Sequence, residues 1–353
     1  MTLDTIKQAV GVARGQAESR GQRSLGVIFF GGEPLLRKDL IIEAMRYCRG
    51  LGNGSGISYH FKVTTNGLLL GEAFLSDPDT DGLFVALSHD GVREAHDRHR
   101  VGPGESGSFD RLDATIDLLL RHRPYAPVML VTTPETVEHY ADSVEFLYGR
   151  GFRYLICSLN YAGAWDERAI RELRRQYRRL AQWYERETRR EAKFYFSPFE
   201  VKIGSHIRPG SCKSDRCELG QRQISVGPDG TFYPCVQFVG DPDYAIGHAS
   251  TGIDEEARAR LYIQNAAEKE TCAACAIRER CNHYCGCLNR QATGSIDTVS
   301  PVLCAHERTV LPIADRLGER LFKRRDAMFI QKHYNDLFPL ISLMEDRSAG
   351  RSQ

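Results

Sequence analysis

Cysteine is the residue type that most clearly indicates chemistry in this sequence. The chain has 353 residues and 11 cysteines, and nine of the cysteines fall between Cys212 and Cys304. A secreted, disulfide-stabilised protein can show this density, but it is usually a short chain behind a signal sequence. The N-terminus lacks the basic start, apolar centre and cleavage site of a signal peptide. We therefore expect this cysteine-rich region to bind metal in a reducing cytosol. Cys48 and Cys157 lie in apolar surroundings and are expected to be small core residues.

The spacing of the later cysteines narrows the kind of metal site. Two cysteines separated by two residues can direct both sulfurs at one ion or cluster across a tight turn. Zinc knuckles use similar pairs, so a single pair does not distinguish zinc from an iron–sulfur cluster. The complete pattern is more specific, because it places eight cysteines in the order Cys212-x4-Cys217-x12-Gly230-x4-Cys235, then Cys272-x2-Cys275-x5-Cys281-x3-Cys285, then Cys304.

Small polar residues and glycine follow three consecutive predicted strands. These segments are Gly31-Gly32-Glu33-Pro34, Thr65-Asn66-Gly67 and Ser88-His89-Asp90-Gly91. Adjacent glycines let the backbone approach a ligand, and a carboxylate can accept hydrogen bonds from an ammonium group. Any one of these segments is also ordinary turn chemistry. Their joint occurrence favours a ligand site.

The three segments belong to an alternation of strands and helices that covers residues 1 to about 195. Predicted strands occupy 24–30, 57–65, 82–88, 128–133 and 153–160, and a long charged helix follows at about 167–191. Strands with apolar residues on both faces, separated by helices, indicate a parallel sheet covered by helices. Ligands of such sheets bind at the carboxyl ends of the strands. After about residue 205 the alternation stops, and the sequence predicts a hairpin at 223–235, a helix at about 254–269 and a helical tail from 304 to about 346.

Composition and charge argue against several classes of protein. The chain is 42% hydrophobic and 26% charged, as soluble globular proteins are, and its formal net charge is +1. That charge gives no bulk attraction to nucleic acid or acidic lipid. The basic run Arg171–Arg190 also contains Glu172, Glu185 and Glu187, which favours a solvated helix face. No apolar run approaches the roughly 18 residues of a membrane span. A cytoplasmic protein without nucleic-acid or membrane partners is therefore expected.

Taken together, these segments resemble the radical S-adenosylmethionine (radical SAM) superfamily, specifically members with a SPASM-type C-terminal domain. IFFGGEPLL is similar to the glycine-rich motif of the family, VTTNG to the segment after the next strand, and LSHDGVREAHDRHR to the segment after the third. The resemblance covers residues 1 to about 310. It implies an α/β fold with a partial (β/α)6-type barrel over residues 1–200, a two-cluster SPASM domain over 205–310 and a helical C-terminal tail over 311–353.

The resemblance implies that S-adenosylmethionine binds at the strand ends. In relatives the glycine-rich motif binds the amino group of the methionine moiety, and positions matching Ser88 and Arg100 hold the cofactor. Arg100 suits a carboxylate, because guanidinium binds carboxylate in a planar, bidentate way. The end of the last strand, near Asn160 and Tyr161, corresponds to the adenine contact. The implied cofactor-binding residues are Gly31, Gly32, Glu33, Asn66, Ser88, Arg100 and Tyr161.

The resemblance also implies two [4Fe–4S] clusters with interleaved ligands. Cys212, Cys217, Cys235 and Cys285 would hold the first cluster, and Cys272, Cys275, Cys281 and Cys304 the second. Ligation by four thiolates leaves no open iron for substrate, which favours electron transfer or structural support. Cys287 is the ninth cysteine, either a free thiol or an alternative ligand or acid.

Relatives carry a third cluster on a Cys-x3-Cys-x2-Cys loop, where S-adenosylmethionine is cleaved to a 5′-deoxyadenosyl radical. Only 30 residues precede Gly31, and none of them is cysteine. MTLDTIKQAV resembles the helix that follows this loop, so we expect the chain to begin inside the barrel. A degenerate member without radical chemistry is the alternative. By itself, the chain is expected not to cleave S-adenosylmethionine.

The expected function is that of a radical SAM/SPASM maturase acting on a ribosomally made precursor peptide, with a reductase, flavodoxin or ferredoxin as electron donor. Sulfatase-maturating relatives often carry an aspartate base directly after the cysteine of the FYPC segment. Here Val236 follows Cys235, which disfavours sulfatase-type oxidation. YPCVQFVG instead resembles peptide maturases that install thioether bonds, so thioether crosslinking at peptide cysteines is expected. No catalytic side chain is assigned. Sulfatase-maturating-type protein oxidation remains an alternative. Two others come from different classes: a zinc-binding interaction module on an inert α/β domain and a non-catalytic iron–sulfur scaffold that binds peptide.

Overall fold

A six-stranded parallel sheet organises the N-terminal half of the chain. The structure is a computed structural model that describes residues 1–52, 56–102, 104, 106–208, 210 and 217–350, with the side chains of 347–350 excepted. The strands pair in chain order from β1 to β6. They are β1 (Ser24–Phe29), β2 (Ser58–Thr65), β3 (Leu83–Ser88), β4 (Pro127–Thr132), β5 (Tyr154–Leu159) and β6 (Tyr195–Phe196). The α/β class expected from the sequence is confirmed, and the carboxyl ends of the strands meet at one edge.

Fourteen α-helices lie within the described residues. Those of the N-terminal half are α1 (Leu3–Ser19), α2 (Lys38–Gly52), α3 (Glu72–Leu75), α4 (Arg93–His96), α5 (Asp113–His122), α6 (Tyr140–Gly149), α7 (Glu167–Arg189) and α8 (Ser197–Ile207). The remaining helices are α9 (Glu255–Ala266), α10 (Glu270–Ala273), α11 (Gly286–Thr293), α12 (Pro301–Lys323), α13 (Ala327–Tyr334) and α14 (Phe338–Gly350). No helix in the described part of the chain has both the length and the apolar character of a membrane span.

Side-chain caps fix where the two longest helices begin. Asp166 accepts a hydrogen bond from the backbone N–H of Ala169 at the start of α7. Ser300 does the same for Leu303 at the start of α12, where Pro301 occupies the first helical position. A capped start with proline at the first position is a favoured helix N-terminus. These caps set the positions of the helices that border the strand ends.

Two apolar cores hold the molecule together. The first lies between the helices and one face of the sheet and includes buried side chains of α7, α8 and α12. The second surrounds a small hairpin, β7 (Ser225–Val226) with β8 (Phe232–Tyr233), which turns at Gly230. A second hairpin pairs β9 (Gly247–His248) with β10 (Gly252–Ile253). The cysteine region therefore has a core of its own.

The predicted elements are observed with local differences. The second strand begins at Ser58 and the fourth at Pro127, within one residue of the prediction. The sequence did not predict β6 and α8, because a strand of two residues shows no period and α8 begins directly after it, with Pro198 in its first turn. Helices α2, α5 and α6 are each preceded by a 3-10 turn, at Pro34–Arg37, Asp110–Leu112 and Val137–His139.

Candidate functional site

The glycine-rich segment after β1 leaves its backbone open to a ligand. Gly31 and Gly32 have φ angles of +97° and +49°, in the left-handed region that favours glycine. No atom lies within 4 Å of a Cβ built on either residue. Conformation rather than crowding therefore requires glycine here, and the space beside the segment remains open.

Glu33 joins the ends of the first two strands. Its carboxylate accepts hydrogen bonds from Thr65 Oγ1 at 2.8 Å, from the Asn66 backbone N–H at 2.8 Å and from the Leu35 backbone N–H at 2.9 Å. A carboxylate offers about four acceptor positions, so these three bonds leave capacity for one donor of a ligand. Asn66 uses its side-chain oxygen to accept from Leu68 N–H at 3.0 Å. Glu33 and Asn66, both predicted to contact the cofactor, thus lie together at the carboxyl ends of β1 and β2.

Arg100 is paired with Asp90, a contact that the sequence prediction missed. Its Nε and Nη2 donate to the two carboxylate oxygens of Asp90 at 2.6 and 3.1 Å, and the Val131 N–H donates to the same carboxylate at 3.0 Å. Asp90 is 6% exposed. The guanidinium group that we predicted to bind a cofactor carboxylate therefore binds Asp90 through Nε and Nη2. Its Nη1 makes no hydrogen bond to Asp90. Ser88 ends β3, two residues before Asp90.

Two buried histidines fix the segment that carries Asp90. His96 Nδ1 accepts from the Asp90 N–H at 3.3 Å, so its other nitrogen carries the proton towards Ser108 Oγ at 2.9 Å. His89 stacks against it, with ring centroids 4.1 Å apart. Burial lowers the pKa of His96 to about 4 and that of His89 to about 2. Both rings are therefore neutral and structural near neutral pH.

Tyr161 follows β5 and lies at a buried hydrogen-bonded chain. Its hydroxyl is 2.7 Å from Nδ1 of His306, whose Nε2 is 2.7 Å from the hydroxyl of Tyr177. His306 belongs to α12, two residues after Cys304. Burial lowers the pKa of His306 to about 3, so the neutral ring donates to one tyrosine and accepts from the other. Asn160, by contrast, is exposed. Its backbone carbonyl oxygen accepts a hydrogen bond from the indole Nε1 of Trp165 at 2.8 Å.

Three described cysteines of the first predicted ligand set lie close together. Cys217 interacts electrostatically with both Cys235 and Cys285. The fourth predicted ligand, Cys212, lies outside the described residues. Cys287 joins the three, because its sulfur is 3.4 Å from that of Cys285 and it also interacts with the thiol of Cys235. Those interactions lower the pKa of Cys285 and lower that of Cys235 to about 6, while the pKa of Cys287 rises.

The second predicted ligand set also gathers in one place. Cys304 interacts electrostatically with Cys272 and Cys275, and Cys281 with Cys304. Burial, followed by the negative charge of Glu307, raises the pKa of Cys281 to about 12. Arg308 Nη2 lies 3.8 Å from the sulfur of Cys275. Tyr161 lies within electrostatic reach of Cys281 and Cys285, one cysteine from each set.

The donor chemistry of both sets suits iron–sulfur clusters. Among the described residues, no group of three or more Cys, His, Asp or Glu side chains is arranged so that it could hold a metal ion. One ion draws its sulfurs to about 2.3 Å, whereas a four-iron cluster spreads four thiolates over separate irons. Each of the two groups supplies cysteine sulfur alone, which is the donor that four-iron clusters use.

An open groove borders the same strand edge. It has a volume of about 420 Å³ and runs between the start of α7 and the start of α12. Its lining residues are Trp165, Asp166, Glu167, Ile170, Arg171, Pro301, Val302 and Ala305. Sequence reasoning found neither this groove nor His306, because both depend on contacts between segments more than 100 residues apart.

Comparison with known proteins identifies relatives over most of the chain. A cysteine-type anaerobic sulfatase-maturating enzyme of Clostridium novyi (strain NT) is 23% identical over 305 residues, which are 82% of this chain and 75% of that protein. A serine-type anaerobic sulfatase-maturating enzyme of Klebsiella aerogenes is 24% identical over 295 residues, 76% of this chain and 68% of that protein. No family model matches the chain.

Solved structures share the fold. The AdoMet-bound enzyme designated anSMEcpe superposes with a TM-score of 0.73 at 17% identity and covers 91% of this chain and 89% of its own. SuiB of Streptococcus suis, bound to its precursor peptide SuiA, gives a TM-score of 0.56 at 16% identity and covers 85% of this chain and 69% of its own. These comparisons confirm that the chain resembles radical SAM proteins with a SPASM-type cysteine region, as the strand-end segments and the cysteine spacing predicted.

Proposed function

We propose that this protein is a peptide maturase that forms thioether crosslinks at cysteines of a ribosomally made precursor peptide. One observation carries the proposal. The Tyr161 hydroxyl, just after β5, is 2.7 Å from Nδ1 of His306, two residues after Cys304, and Tyr161 also interacts electrostatically with Cys281 and Cys285. Described cysteines of both sets are therefore near the end of β5, where we propose that substrate chemistry occurs. SuiB, which shares the fold, binds a precursor peptide.

The strand-end residues would hold S-adenosylmethionine. Glu33 retains an acceptor position for the ammonium group, the backbone of Gly31 and Gly32 is open, and Nη1 of Arg100 faces away from Asp90. Asn66, Ser88 and Tyr161 complete the proposed contacts. When bound with its reduced cluster, the cofactor supplies hydrogen abstraction from the peptide. The residues of this chain bind and orient it at the strand edge.

The two cysteine sets would hold two [4Fe–4S] clusters. Cys217, Cys235 and Cys285 supply three thiolates of the first, with Cys212 as the fourth that the family resemblance implies, and Cys272, Cys275, Cys281 and Cys304 bind the second. Such clusters accept and pass single electrons. Thioether formation is an oxidation, so the peptide must give up an electron after the carbon–sulfur bond forms. A cluster beside the strand ends could accept this electron. A reductase, flavodoxin or ferredoxin in the cytoplasm would be the external redox partner.

Sulfatase-type oxidation of a cysteine or serine to formylglycine is the second candidate function. The names of the Clostridium novyi and Klebsiella aerogenes relatives favour it. The residue after Cys235 favours the thioether reaction instead, because Val236 packs against the second apolar core and offers no carboxylate. We propose the thioether reaction on that ground.

Iron content tests the cluster assignment directly. The chain produced anaerobically with iron and sulfide is expected to bind about eight irons, as two four-iron clusters on eight thiolates. Replacing Cys272 and Cys275 together by alanine should reduce this to about four, because the second cluster loses two ligands. Cys48→Ala is the matched control, since Cys48 is a buried thiol of the first core.

A different metal would contradict the proposal. Stoichiometric zinc without iron after anaerobic purification would support the interaction-module alternative. Retention of eight irons in the Cys272→Ala/Cys275→Ala variant would show that the second ligand set is wrong.

A further inference from the structure

Cys287 occupies a position that the proposed ligand sets do not use. It is the second residue of α11, and Cys285 caps the start of that helix. Its sulfur lies 3.4 Å from the sulfur of Cys285, and its side chain also lies near enough to Cys235 to lower the pKa of that thiol. Cys287 therefore contacts two of the thiols proposed to bind the first cluster.

The surroundings of Cys287 are apolar. The residue is 8% exposed and belongs to the second core, with Phe232, Phe238 and Ile246. A hydrogen bond in such an environment is stronger than in water, because the low local dielectric does not screen it. The contacts of Cys287 with its two thiol neighbours therefore act on any cluster bound there.

The short sulfur–sulfur distance argues against Cys287 as a ligand beside Cys285. Two sulfurs bound tetrahedrally to one metal at about 2.3 Å are about 3.8 Å apart. Sulfurs bound to two different irons of one cluster are farther apart still. A separation of 3.4 Å is shorter than either and instead fits a thiol that donates to a thiolate, for which sulfur contacts of this length are hydrogen bonds.

We propose that Cys287 is a hydrogen-bond donor to the ligand sulfurs of Cys235 and Cys285, and that it raises the reduction potential of the first cluster. The inference rests on the proposed function, which makes Cys235 and Cys285 cluster ligands. Ligated thiolates carry no proton, so Cys287 holds the one S–H of the group, and the two thiolates share it as acceptors.

The direction of the effect follows from charge. Reduction adds one negative charge to the cluster and its thiolates. A donor hydrogen bond stabilises that added charge, and hydrogen bonds to cluster sulfurs are one of the factors that set the potential. Removal of the donor therefore makes reduction harder and lowers the potential.

Redox titration of the anaerobically reconstituted chain, monitored by electron paramagnetic resonance, tests the inference. Cys287→Ala is expected to keep about eight irons and to shift one of two couples to lower potential. We expect at least a tenfold change in the equilibrium constant, about 59 mV for one electron. The other couple should not move. Cys287→Ser keeps a donor of similar size and should lie closer to the unmodified protein than Cys287→Val, which fills the same space without a donor.

The possible outcomes separate the inference from the function on which it rests. Loss of about four irons from both Cys287→Ala and Cys287→Val, with iron retained in Cys287→Ser, would identify Cys287 as a ligand and overturn the inference. Full iron with no shift of either couple, or an equal shift of both, would overturn it as well. Absence of iron from the unmodified chain would instead refute the proposed function.

Discussion

At the scale of single residues, the acidic side chains at the strand ends are already hydrogen-bonded within the protein when no ligand is bound. Glu33 accepts three hydrogen bonds from neighbouring segments, and Asp90 accepts three. These bonds fix the carboxylates before a cofactor arrives, so binding loses little side-chain entropy. The same residues therefore support stability and the proposed binding site together.

Substitution of Arg100 can distinguish its contribution to stability from its proposed contribution to cofactor binding. Arg100→Ala leaves the buried Asp90 without its guanidinium partner, so we expect the free energy of unfolding to fall by about 2 kcal/mol. This is below the 3–5 kcal/mol typical of broken buried pairs, because the Arg100 side chain is 25% exposed. S-adenosylmethionine affinity should fall roughly ten- to hundredfold if its carboxylate uses the same guanidinium. Chemical denaturation and equilibrium binding to the protein expressed from its complete reading frame measure the two effects.

Two further variants make the Arg100 test specific. Arg98→Ala removes the same charge from an exposed neighbouring position and should change neither quantity. Arg100→Lys keeps the charge and loses the planar fork, so it should fall between the alanine variant and the unmodified protein. An alanine variant with lower stability and unchanged affinity would show that Arg100 acts on Asp90 alone.

At the scale of elements, α12 connects the cysteine region to the barrel. Cys304, His306 and Glu307 lie within one turn of this helix. His306 is hydrogen-bonded to Tyr161, which follows β5, and to Tyr177 of α7. Glu307 forms an ion pair with Lys202 of α8, with Nζ 2.7 Å from Oε2. The side chains of the pair are only 6% and 1% exposed. These contacts set the distance of Cys304 from the end of β5.

A double-mutant cycle on Lys202 and Glu307 tests this connection. Lys202→Met and Glu307→Leu should each lower the free energy of unfolding by about 3–5 kcal/mol, because each leaves an unpaired buried charge. The double variant should recover most of that loss, since two apolar side chains of similar volume then pack together. Urea denaturation measures all four proteins. Arg320 and Glu185, a more exposed pair between α12 and α7, provide the control and should show a coupling below about 1 kcal/mol. Additive losses at Lys202 and Glu307 would contradict the predicted coupling.

What the sequence could predict also depends on the element. Strands β1 to β5 and the helices between them were predictable, because apolar runs and helical periods are local patterns. The residues at the strand ends followed from the order of those strands. The Tyr161–His306–Tyr177 chain was not predictable, since its bonds join residues 129 and 145 positions apart. The spacing of cysteines indicated a metal site but not the contact of Cys287 with two neighbours, which depends on how α11 packs against the first hairpin.

At the scale of the whole molecule, the two apolar cores are joined rather than independent. Ile6 and Val10 of α1 belong to the first core, and Ala9 of the same helix belongs to the second. Leu288 of α11 packs against both cores. Packing therefore links the sheet to the described cysteines of the second core, as the proposed electron transfer from substrate to cluster needs.

The product formed on a peptide is the prediction that decides the function of the whole molecule. The protein expressed from its complete reading frame, together with a cysteine-containing precursor peptide, is expected to give a product lighter by two hydrogens per crosslink. Hydrogen abstraction at an acceptor carbon removes the first hydrogen. The cysteine thiol releases the second as a proton when the carbon–sulfur bond forms, and the electron left over passes to a cluster. Each thioether also consumes one thiol, so mass spectrometry after alkylation should show one fewer labelled cysteine per crosslink.

Sulfatase-type oxidation would instead remove sulfur from the cysteine and leave an aldehyde that reacts with a hydrazide probe. An aldehyde product would establish the second candidate function and contradict the thioether reaction. A double variant at Cys272 and Cys275 should lose the product, because the electron then has one acceptor site fewer, whereas Cys48→Ala should retain it.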